Sequence, residues 1–203
     1  MGTSPQAMVI KCRSLLNEPL GQNDPQRTDP EILQWLDDAT TDFISKVVAD
    51  AFPELVKEVT FLGSTWTIPS DYLKLLQVRA THLVDSESVE ETVQILGVDN
   101  EYILDSFAGS LGIFAVFDAA KLKLTSDVVQ GRVKYLSKPA SFVQCEESSL
   151  KPEFDDPIIN RTVAFALSKI NDEGADFYLG RYNERIAAEN ERYRGTDVER
   201  MRA

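Results

Sequence analysis

A short stretch with a serine between two glycines is the part of this chain that comes closest to a catalytic motif. Ala108-Gly109-Ser110-Leu111-Gly112 differs by one residue from the Gly-x-Ser-x-Gly elbow, which raises a nucleophilic serine above a sheet. In that fold the base histidine follows the serine, whereas His82, the single histidine, precedes Ser110. The elbow also joins a strand to a helix, but Gly112 leads into a predicted strand. We therefore interpret this stretch as a glycine turn and not as a hydrolase site.

Metal and disulfide chemistry depend on the few histidine and cysteine residues. The chain holds one histidine and two cysteines, Cys12 and Cys145. That count excludes a disulfide framework and a four-cysteine zinc site. We expect His82 to be a partly buried strand residue and both cysteines to be reduced thiols. We predict no metal site and no cofactor.

Adjacent carboxylates are the remaining candidates for acid–base or magnesium chemistry. Neighbouring side chains on a helix point about 100° apart, so most such pairs are solvated surface or helix caps. The sequence also lacks a glycine-rich phosphate loop with its lysine. We predict that the protein is not an enzyme and keep, as the alternative, a small enzyme with an unrecognised carboxylate site. The adjacent pairs are Asp37-Asp38, Glu90-Glu91, Glu146-Glu147 and Asp155-Asp156.

Composition and charge exclude further classes of function. The 203 residues include 33 acidic and 21 basic side chains, which gives a net charge of -12, and 43% are apolar. Such a composition is typical of a globular protein with one domain or two small ones. The acidic balance argues against wrapping nucleic acid, because phosphate binding needs a basic footprint. With no targeting signal and no apolar run of about 20 residues, we expect no membrane partner and a place in a cytoplasm or in a particle assembled there.

The elements that must position these residues follow an α+β order. An N-terminal amphipathic helix precedes a small antiparallel β module, which is followed by a C-terminal helical hairpin with an extended arm. One short helical stretch is expected around Val9 to Leu16. The predicted segments are an N-terminal arm at 1–27, the first helix at 28–58, the β module at 59–139, a polar connector at 140–152, the C-terminal helices at 153–191 and a C-terminal arm at 192–203.

Capping signals define the helices. Thr28 and Glu31 have the spacing of a capping box, and apolar residues then recur at steps of three or four until Pro53 ends the helix. Trp35 lies on this apolar stripe, so we expect it to be buried. The C-terminal hairpin is predicted to start with an acidic cap at Asp155-Asp156 before a proline and to break at 171–174.

Alternation and turn signals define the β module. Val59 to Leu62 and Trp66 to Pro69 are predicted to form a hairpin-like pair. Val89 to Leu96 is ambiguous between strand and helix, and Asn100 to Phe107 is expected to form one or two helical turns. The clearer strands are Leu73–Val84, Gly112–Phe117, Lys121–Leu124 and Arg132–Leu136.

Four stretches in this order carry a family resemblance. They are the capped helix Pro30–Ala39, the strand–turn–strand Trp66–Leu75 with its Ile-Pro-Ser-Asp-Tyr-Leu turn, the three-strand meander from Gly112 to Pro139 that ends in Tyr-x-x-x-Pro, and the helical hairpin Asp155–Glu191. Together they cover most of residues 28 to 191, and the chain resembles bacteriophage head-to-tail connector proteins, the adaptor or neck proteins of the tail tubular protein A type. Residues 1–27 and 140–150 have no clear counterpart.

This resemblance implies a virion structural protein, assembled in the host cytoplasm and located in the neck. Such a protein forms a ring under the portal, extends the DNA channel and provides the platform for the tail. The implied partners are the portal protein, tail or nozzle proteins and neighbouring copies of the chain. Double-stranded DNA would pass without specific binding, since an acidic wall repels phosphate. A tail terminator or stopper of the same neck is the alternative within structural proteins. We expect the isolated chain to be mostly monomeric, because its charge opposes self-association.

The resemblance also gives the C-terminal arm a role. Residues 184 to 203 carry five arginines and five acidic residues, so this segment is neutral in a strongly acidic chain. Connector proteins of this kind push their C-terminal segment into the portal. We therefore expect the segment past about Glu189 to be mobile in the free protein and to order on the portal, with the arginines paired to portal acids. The predicted portal-binding residues are Arg185, Arg192, Tyr193, Arg194, Arg200 and Arg202.

Overall fold

The structure, a computed structural model, has the α+β class that the sequence predicts. It forms two units, one from residues 1–54 together with 139–203 and the other from residues 55–138. The first, here the helical unit, is built from helices, and the second, the β unit, is built from strands. The residues that the structure describes are 3–17, 27–84, 87–96, 104, 112–118, 120–125, 127–145, 147–170 and 172–200.

The described residues of the helical unit form four α-helices. They are α1 (Pro5–Leu15), α2 (Asp29–Lys46), α3 (Asp155–Ser168) and α4 (Gly174–Arg200), with 3-10 turns at Ala49–Ala51, Pro53–Leu55 and Pro152–Phe154. Phe43 of α2 lies at the centre of their aromatic core. Its ring centroid is 6.0 Å from that of Phe52, 5.6 Å from Phe154 and 6.1 Å from Tyr182. The core thus joins α2 and α4 to the turns that flank the β unit in sequence.

The short helix expected in the N-terminal segment is confirmed, and it starts earlier than expected. Ser4 caps α1, with the Ala7 amide donating to its hydroxyl, and Pro5 occupies the first helical position. Met8, Val9 and Cys12 of α1 are buried, and α1 packs against α2 and α3. This part of the predicted arm is therefore a component of the helical core.

The predicted capping box of α2 is confirmed, but the predicted end of the helix is wrong. The Thr28 amide donates to the Glu31 carboxylate over 2.9 Å, and Thr28 Oγ1 accepts from the Glu31 amide. The helix stops at Lys46 and not at Pro53, because Val47 is extended and a 3-10 turn follows. β-Branched valines at 47 and 48 favour extended backbone, and the chain keeps Val47 buried without continuing the helix.

The predicted acidic cap of α3 is also wrong. Phe154 occupies the cap position without a side-chain cap, and Asp155 lies within the first turn. A 3-10 turn at Pro152–Phe154 precedes the helix directly, so no extended residue is available to place a cap. The Asp155 carboxylate instead accepts a hydrogen bond from the Thr3 hydroxyl. Burial raises the pKa of this carboxyl, and the Thr3 bond partly opposes that effect.

Within its described residues, the β unit forms two four-stranded sheets. The first has the order β1-β8-β3-β4 with every pair antiparallel, and the second has the order β2-β7-β6-β5. One pair of the second sheet, β5–β6, is parallel. The strands are β1 (Val56–Leu62), β2 (Thr65–Thr67), β3 (Tyr72–Val84), β4 (Glu87–Thr92), β5 (Gln94–Ile95), β6 (Phe114–Asp118), β7 (Lys121–Leu124) and β8 (Val128–Ser137). The ambiguous stretch 89–96 is thus strand.

Two strand pairings predicted from the sequence are wrong. β1 and β2 do not form a hairpin, since β1 pairs with β8 while β2 pairs with β7 of the other sheet. The meander from β6 through β7 to β8 is interrupted as well, because β8 joins the first sheet. Gly63, with a φ of 77°, allows the chain to leave one sheet for the other. Of the helical turn predicted at 100–107, only Leu104 lies within the described residues.

The two sheets enclose the core of the β unit. Buried side chains of the first sheet, including Val78 and Val133, share a cluster with Trp66 and Leu122 of the second. Gly131 of β8 is required for this packing, because a Cβ there would lie 2.1 Å from the Phe61 ring. Burial in this shared core, more than local turn chemistry, decides which strands pair.

Candidate functional site

Helix α4, which carries five of the six predicted portal-binding residues, is held to α2 by a buried tyrosine. Tyr182 is fully buried, and its hydroxyl donates to Asp42 Oδ2 over 2.9 Å. The same oxygen accepts from Lys46 Nζ at 2.8 Å and from Arg161 Nε at 3.1 Å. The Asp42 carboxylate thus joins α3 and α4, the two helices of the C-terminal hairpin, to α2.

The charge state of this cluster follows from its contacts. Burial opposes ionisation of Asp42, but the hydrogen bonds from Lys46 and Tyr182 and the charges of Lys46 and Arg161 outweigh it. The pKa of Asp42 is therefore below its ordinary value. Burial, with the bond that it donates to Asp42, raises the pKa of the Tyr182 phenol well above its ordinary value. Tyr182 is consequently a neutral donor at physiological pH and not a catalytic base.

A second contact anchors α4 two turns further on. Asn190 Nδ2 donates to the Lys46 carbonyl over 3.1 Å, and Asn190 Oδ1 accepts from the Val48 amide over 2.9 Å. These groups belong to the C-terminal end of α2, where carbonyls and the following amides lack partners within the helix. The Asn190 side chain therefore provides hydrogen-bond partners for the Lys46 carbonyl and the Val48 amide, so the helix can end at Lys46. Sequence reasoning missed Asn190, since its partners are more than 140 residues away.

The predicted arm is a continuation of α4. The helix runs to Arg200, so residues 192–200 are helical and not an irregular tail. α4 has 27 residues, or about 40 Å at 1.5 Å per residue, whereas α3 has 14 residues, or about 21 Å. Its backbone extends about 15 Å past Asn190, over residues 191–200. Arg194 and Arg200 lie on this extension, and Arg202 lies outside the described residues.

The first two of the predicted arginines are held by one glutamate. Glu189 is 2% exposed, with Arg185 Nη2 at 2.5 Å from one oxygen and Arg192 Nη1 at 3.6 Å from the other. Arg192 also lies 3.9 Å from Glu153, and its guanidinium is 5.7 Å from the ring centroid of Tyr193. The Arg192 side chain nevertheless stays 58% exposed. It is available to a partner, whereas Arg185 is largely committed to Glu189.

The residues that carry the family resemblance in the β unit come together in space. Tyr135 of β8 donates to Asp71 in the turn before β3, with an O–O distance of 3.3 Å. Lys57 of β1 pairs with the other oxygen of Asp71, and that hydrogen bond is the main cause of the lowered pKa of Asp71. The Trp66 ring lies 5.6 Å from Tyr135 and 6.1 Å from Tyr72. Both motif stretches thus form one cluster, here the Asp71 cluster.

Three of the candidates for catalysis or metal binding, His82, Cys12 and Cys145, lie within the described residues. His82 is a strand residue of β3, as predicted, but it is buried and not partly buried, with Nδ1 3.4 Å from Asp127 and Nε2 3.8 Å from Glu91. Ser110 lies outside the described residues. Cys12 and Cys145 are both free, and burial raises the pKa of the Cys12 thiol to about 12. Among the described residues, no group of three histidine, cysteine or acidic side chains could hold a metal ion.

The acidic pair Asp37-Asp38 has structural hydrogen-bond partners. Asp37 accepts from the Phe142 amide at 2.7 Å and from the Ser141 hydroxyl at 2.5 Å, so it fixes the start of the predicted connector. Asp38 accepts from Gln34 at 3.2 Å. Among the described residues, neither carboxylate of this pair is hydrogen-bonded to a second acidic group, the arrangement that shared-proton chemistry would need.

A surface groove that the sequence did not indicate lies between α1, α3 and α4. Its volume is about 340 Å³, and its walls include Lys11, Ile159 and Arg181. Phe177 on its rim is 60% exposed. Within the described residues, neither Lys11 nor Arg181 lies in an ion pair. The groove depends on α1 lying beside the hairpin of α3 and α4, which belongs to the other end of the chain, so no local pattern predicts it.

Comparisons with known proteins identify no relative. A scan against protein-family models found no matching family, and a search of curated proteins found no match.

Within the described part of the chain, no helix combines the length and low polarity needed to cross a bilayer.

Proposed function

We propose that the chain is a virion structural protein, a head-to-tail adaptor that forms a ring under the portal in the virion neck. The observation that carries the proposal is the Asp71 cluster. Two stretches on which the resemblance rests, 66–75 and 131–139, share contacts among Asp71, Tyr72 and Tyr135, although Asp71 and Tyr135 are 64 residues apart in sequence. The cluster thus supports the resemblance beyond its separate weak motifs.

The shape of α4 supports portal binding by the C-terminal end. Tyr182 and Asn190 fix the helix on the helical unit, and the backbone then continues as a helix to Arg200. A preformed helix loses less conformational entropy on binding than a disordered arm would. Arg192, exposed beside Tyr193, combines a bidentate cation with an aromatic contact. Acidic side chains of the portal are the proposed partners of these arginines.

The acidic charge suits a channel that DNA crosses. A ring of subunits that each carry a net charge of -12 would present a repulsive potential to phosphate. A basic lumen would instead bind the duplex through released counterions. The adaptor thus allows double-stranded DNA to pass, and its binding partners are proteins: the portal, the tail and neighbouring copies of the chain.

Assembly in the presence of the portal tests the proposal. The chain is co-expressed with a phage portal protein and purified, and the complex is imaged by negative staining. An adaptor gives homogeneous rings attached to portals and none without them. A stopper or terminator would bind a preformed neck or tail but not a bare portal. Turnover in a hydrolase screen, lost in Ser110→Ala, would contradict the structural role and favour an enzyme.

A further inference from the structure

We propose that neighbouring copies in the ring join through their sheets, with β4 of one copy adding to β1 of the next. This inference rests on the proposed ring, and it names the contact between copies. The sheet of order β1-β8-β3-β4 leaves one side of β1 and one side of β4 without a strand partner among the described residues. The two edges are of similar length, seven residues in β1 and six in β4.

The register shows which backbone groups of β1 point away from the sheet. The Gly63 amide donates to the Val129 carbonyl over 2.8 Å, and this pair extends the register in which Leu62 faces Gln130. Hydrogen-bonded pairs alternate along an antiparallel ladder. The backbone groups of Phe61 therefore point to β8, whereas those of Glu58 and Thr60 point outward.

The same reasoning defines the outer edge of β4. The Val93 amide donates to the Val78 carbonyl over 3.0 Å, and this pair extends the register of β3 with β4. By alternation, the amides and carbonyls of Ser88, Glu90 and Thr92 point away from β3. An unpaired edge of this kind is a template for another strand unless something covers it.

The direction of the strands permits the join. Three antiparallel pairings in a four-stranded sheet make β1 and β4 run in opposite directions. A second copy placed by rotation about a ring axis therefore presents β1 antiparallel to β4 of its neighbour. The residues whose backbone groups point outward at the two edges also have their side chains on one common face of the sheet. This face is opposite to the core face, on which Phe61 lies and on which Glu91 lies beside His82. The pleat of the sheet can thus continue across the join.

Charge favours the join between unlike edges. β4 carries Glu87, Glu90 and Glu91, and the adjacent β3 supplies one cation in register with it, Arg79 opposite Thr92. At the other edge Lys57 pairs with Asp71 and Arg132 pairs with Glu58, so that Lys134 of β8 gives this edge an excess of positive charge. Two β4 edges would repel each other, whereas a β4 edge and a β1 edge carry opposite net charges. The contact is therefore head-to-tail, and a repeated head-to-tail contact closes a ring when its rotation permits.

Hydrogen exchange of backbone amides tests the contact directly. Amides are compared between the free protein and the purified portal-bound ring. The join predicts roughly tenfold or greater slowing at Glu58, Thr60, Ser88 and Glu90 in the ring, with little change at inward amides already bonded in the free protein. Unchanged exchange at both edges in a ring that does form would overturn this inference and leave the adaptor proposal standing. Failure to form any ring would instead count against the adaptor proposal.

A proline at the outer edge provides the matched variant. Thr60→Pro removes one outward amide and no amide bonded to β8, and proline is tolerated at such edge positions. Thr60→Val changes the side chain but keeps the amide. The expected result is at least about a tenfold loss of portal-bound rings for Thr60→Pro and near-normal assembly for Thr60→Val. Equal assembly of the two variants would overturn the join.

Charge exchange covers the case in which Thr60→Pro does not fold. Glu87→Lys, Glu90→Lys and Glu91→Lys reverse the β4 edge, and Arg132→Glu with Lys134→Glu reverses the other. Each reversed protein alone should assemble poorly, and the chain that carries both reversals should recover. Absence of recovery in a folded double-edge variant would contradict the assigned pairing.

Discussion

The Tyr135 hydroxyl donates a hydrogen bond to Asp71 Oδ1, and this bond joins β8 to the turn before β3. Asp71 also receives Lys57 from β1. Its backbone carbonyl accepts from the Lys138 amide over 2.7 Å. One turn residue therefore connects three strands at the end of the sheet, next to the aromatic contact between Tyr72 and Tyr135.

Removing the Tyr135 hydroxyl should weaken the β unit. Tyr135→Phe keeps the ring in its aromatic contacts and leaves Asp71 without this donor. We expect the free energy of unfolding to fall by about 0.5–1.5 kcal/mol, measured by chemical denaturation. Tyr178→Phe is the control, because the Tyr178 hydroxyl has no hydrogen bond among the described residues. Equal effects of the two substitutions would show that the bond to Asp71 contributes nothing.

Trp35 should be a major core contribution of the helical unit. The side chain is 9% exposed, as the sequence predicted, and its ring lies 5.7 Å from Phe165 of α3 and 4.7 Å from Lys169 Nζ. Trp35→Ala should lower the free energy of unfolding by about 3–5 kcal/mol, because it leaves a large cavity. Phe177→Ala, which truncates an exposed aromatic residue, should cost much less. An unchanged denaturation midpoint for Trp35→Ala would sink this prediction.

The Asp42 cluster should make stability depend on acid pH. The folded pKa of Asp42 lies below its unfolded value of about 3.9. Its contribution is therefore fully present above about pH 5 and is lost as the pH falls through the folded pKa. Asp42→Asn should lower the free energy of unfolding by about 1–3 kcal/mol at neutral pH, and the gap to the wild type should close in acid. A gap that is constant from pH 7 to the acid limit would contradict the assigned role.

The isolated chain should be mostly monomeric. Its net charge of -12 opposes association in solution, and salt screens this repulsion. Sedimentation velocity at low salt should therefore show a single slow species, with more association as salt is raised. Complete rings at low salt without any partner protein would refute the prediction.

Portal binding should depend on the C-terminal extension of α4. Deleting residues 192–203 removes the exposed Arg192 and the extension but leaves the anchors Tyr182 and Asn190. We expect at least about a tenfold loss of affinity for portal rings, with a small change in the thermal unfolding midpoint.

A charge variant distinguishes the contribution of the arginines from that of the helical backbone. Replacing the four arginines of residues 192–203 by glutamine keeps the chain length. This variant should weaken binding nearly as much as the deletion if the cations pair with portal acids. Unaltered affinity of the deletion variant, with its fold intact, would place the docking surface elsewhere.

Local sequence signals determined the elements of this protein. Thr28 and Glu31 specify the start of α2 because both capping partners lie within one turn, and Trp35 follows from the periodic apolar stripe. Alternation defined most strands, including Lys121–Leu124, because the side-chain period of a strand is local. The α+β class follows from the order of these elements.

Only the tertiary structure decided which elements meet. β1 pairs with β8, about 70 residues away, because Phe61 and Gly131 share one face of the core, and no local turn signal carries that information. The end of α2 at Lys46 depends on Asn190, and the continuation of α4 past residue 191 was hidden by its polar composition. The side chains of Arg185 and Arg192 were placed in the same way, since the buried Glu189 pairs with both and Arg192 stays the more exposed of the two. Contacts between distant residues are fixed by burial and by the satisfaction of backbone groups, which depend on the whole chain.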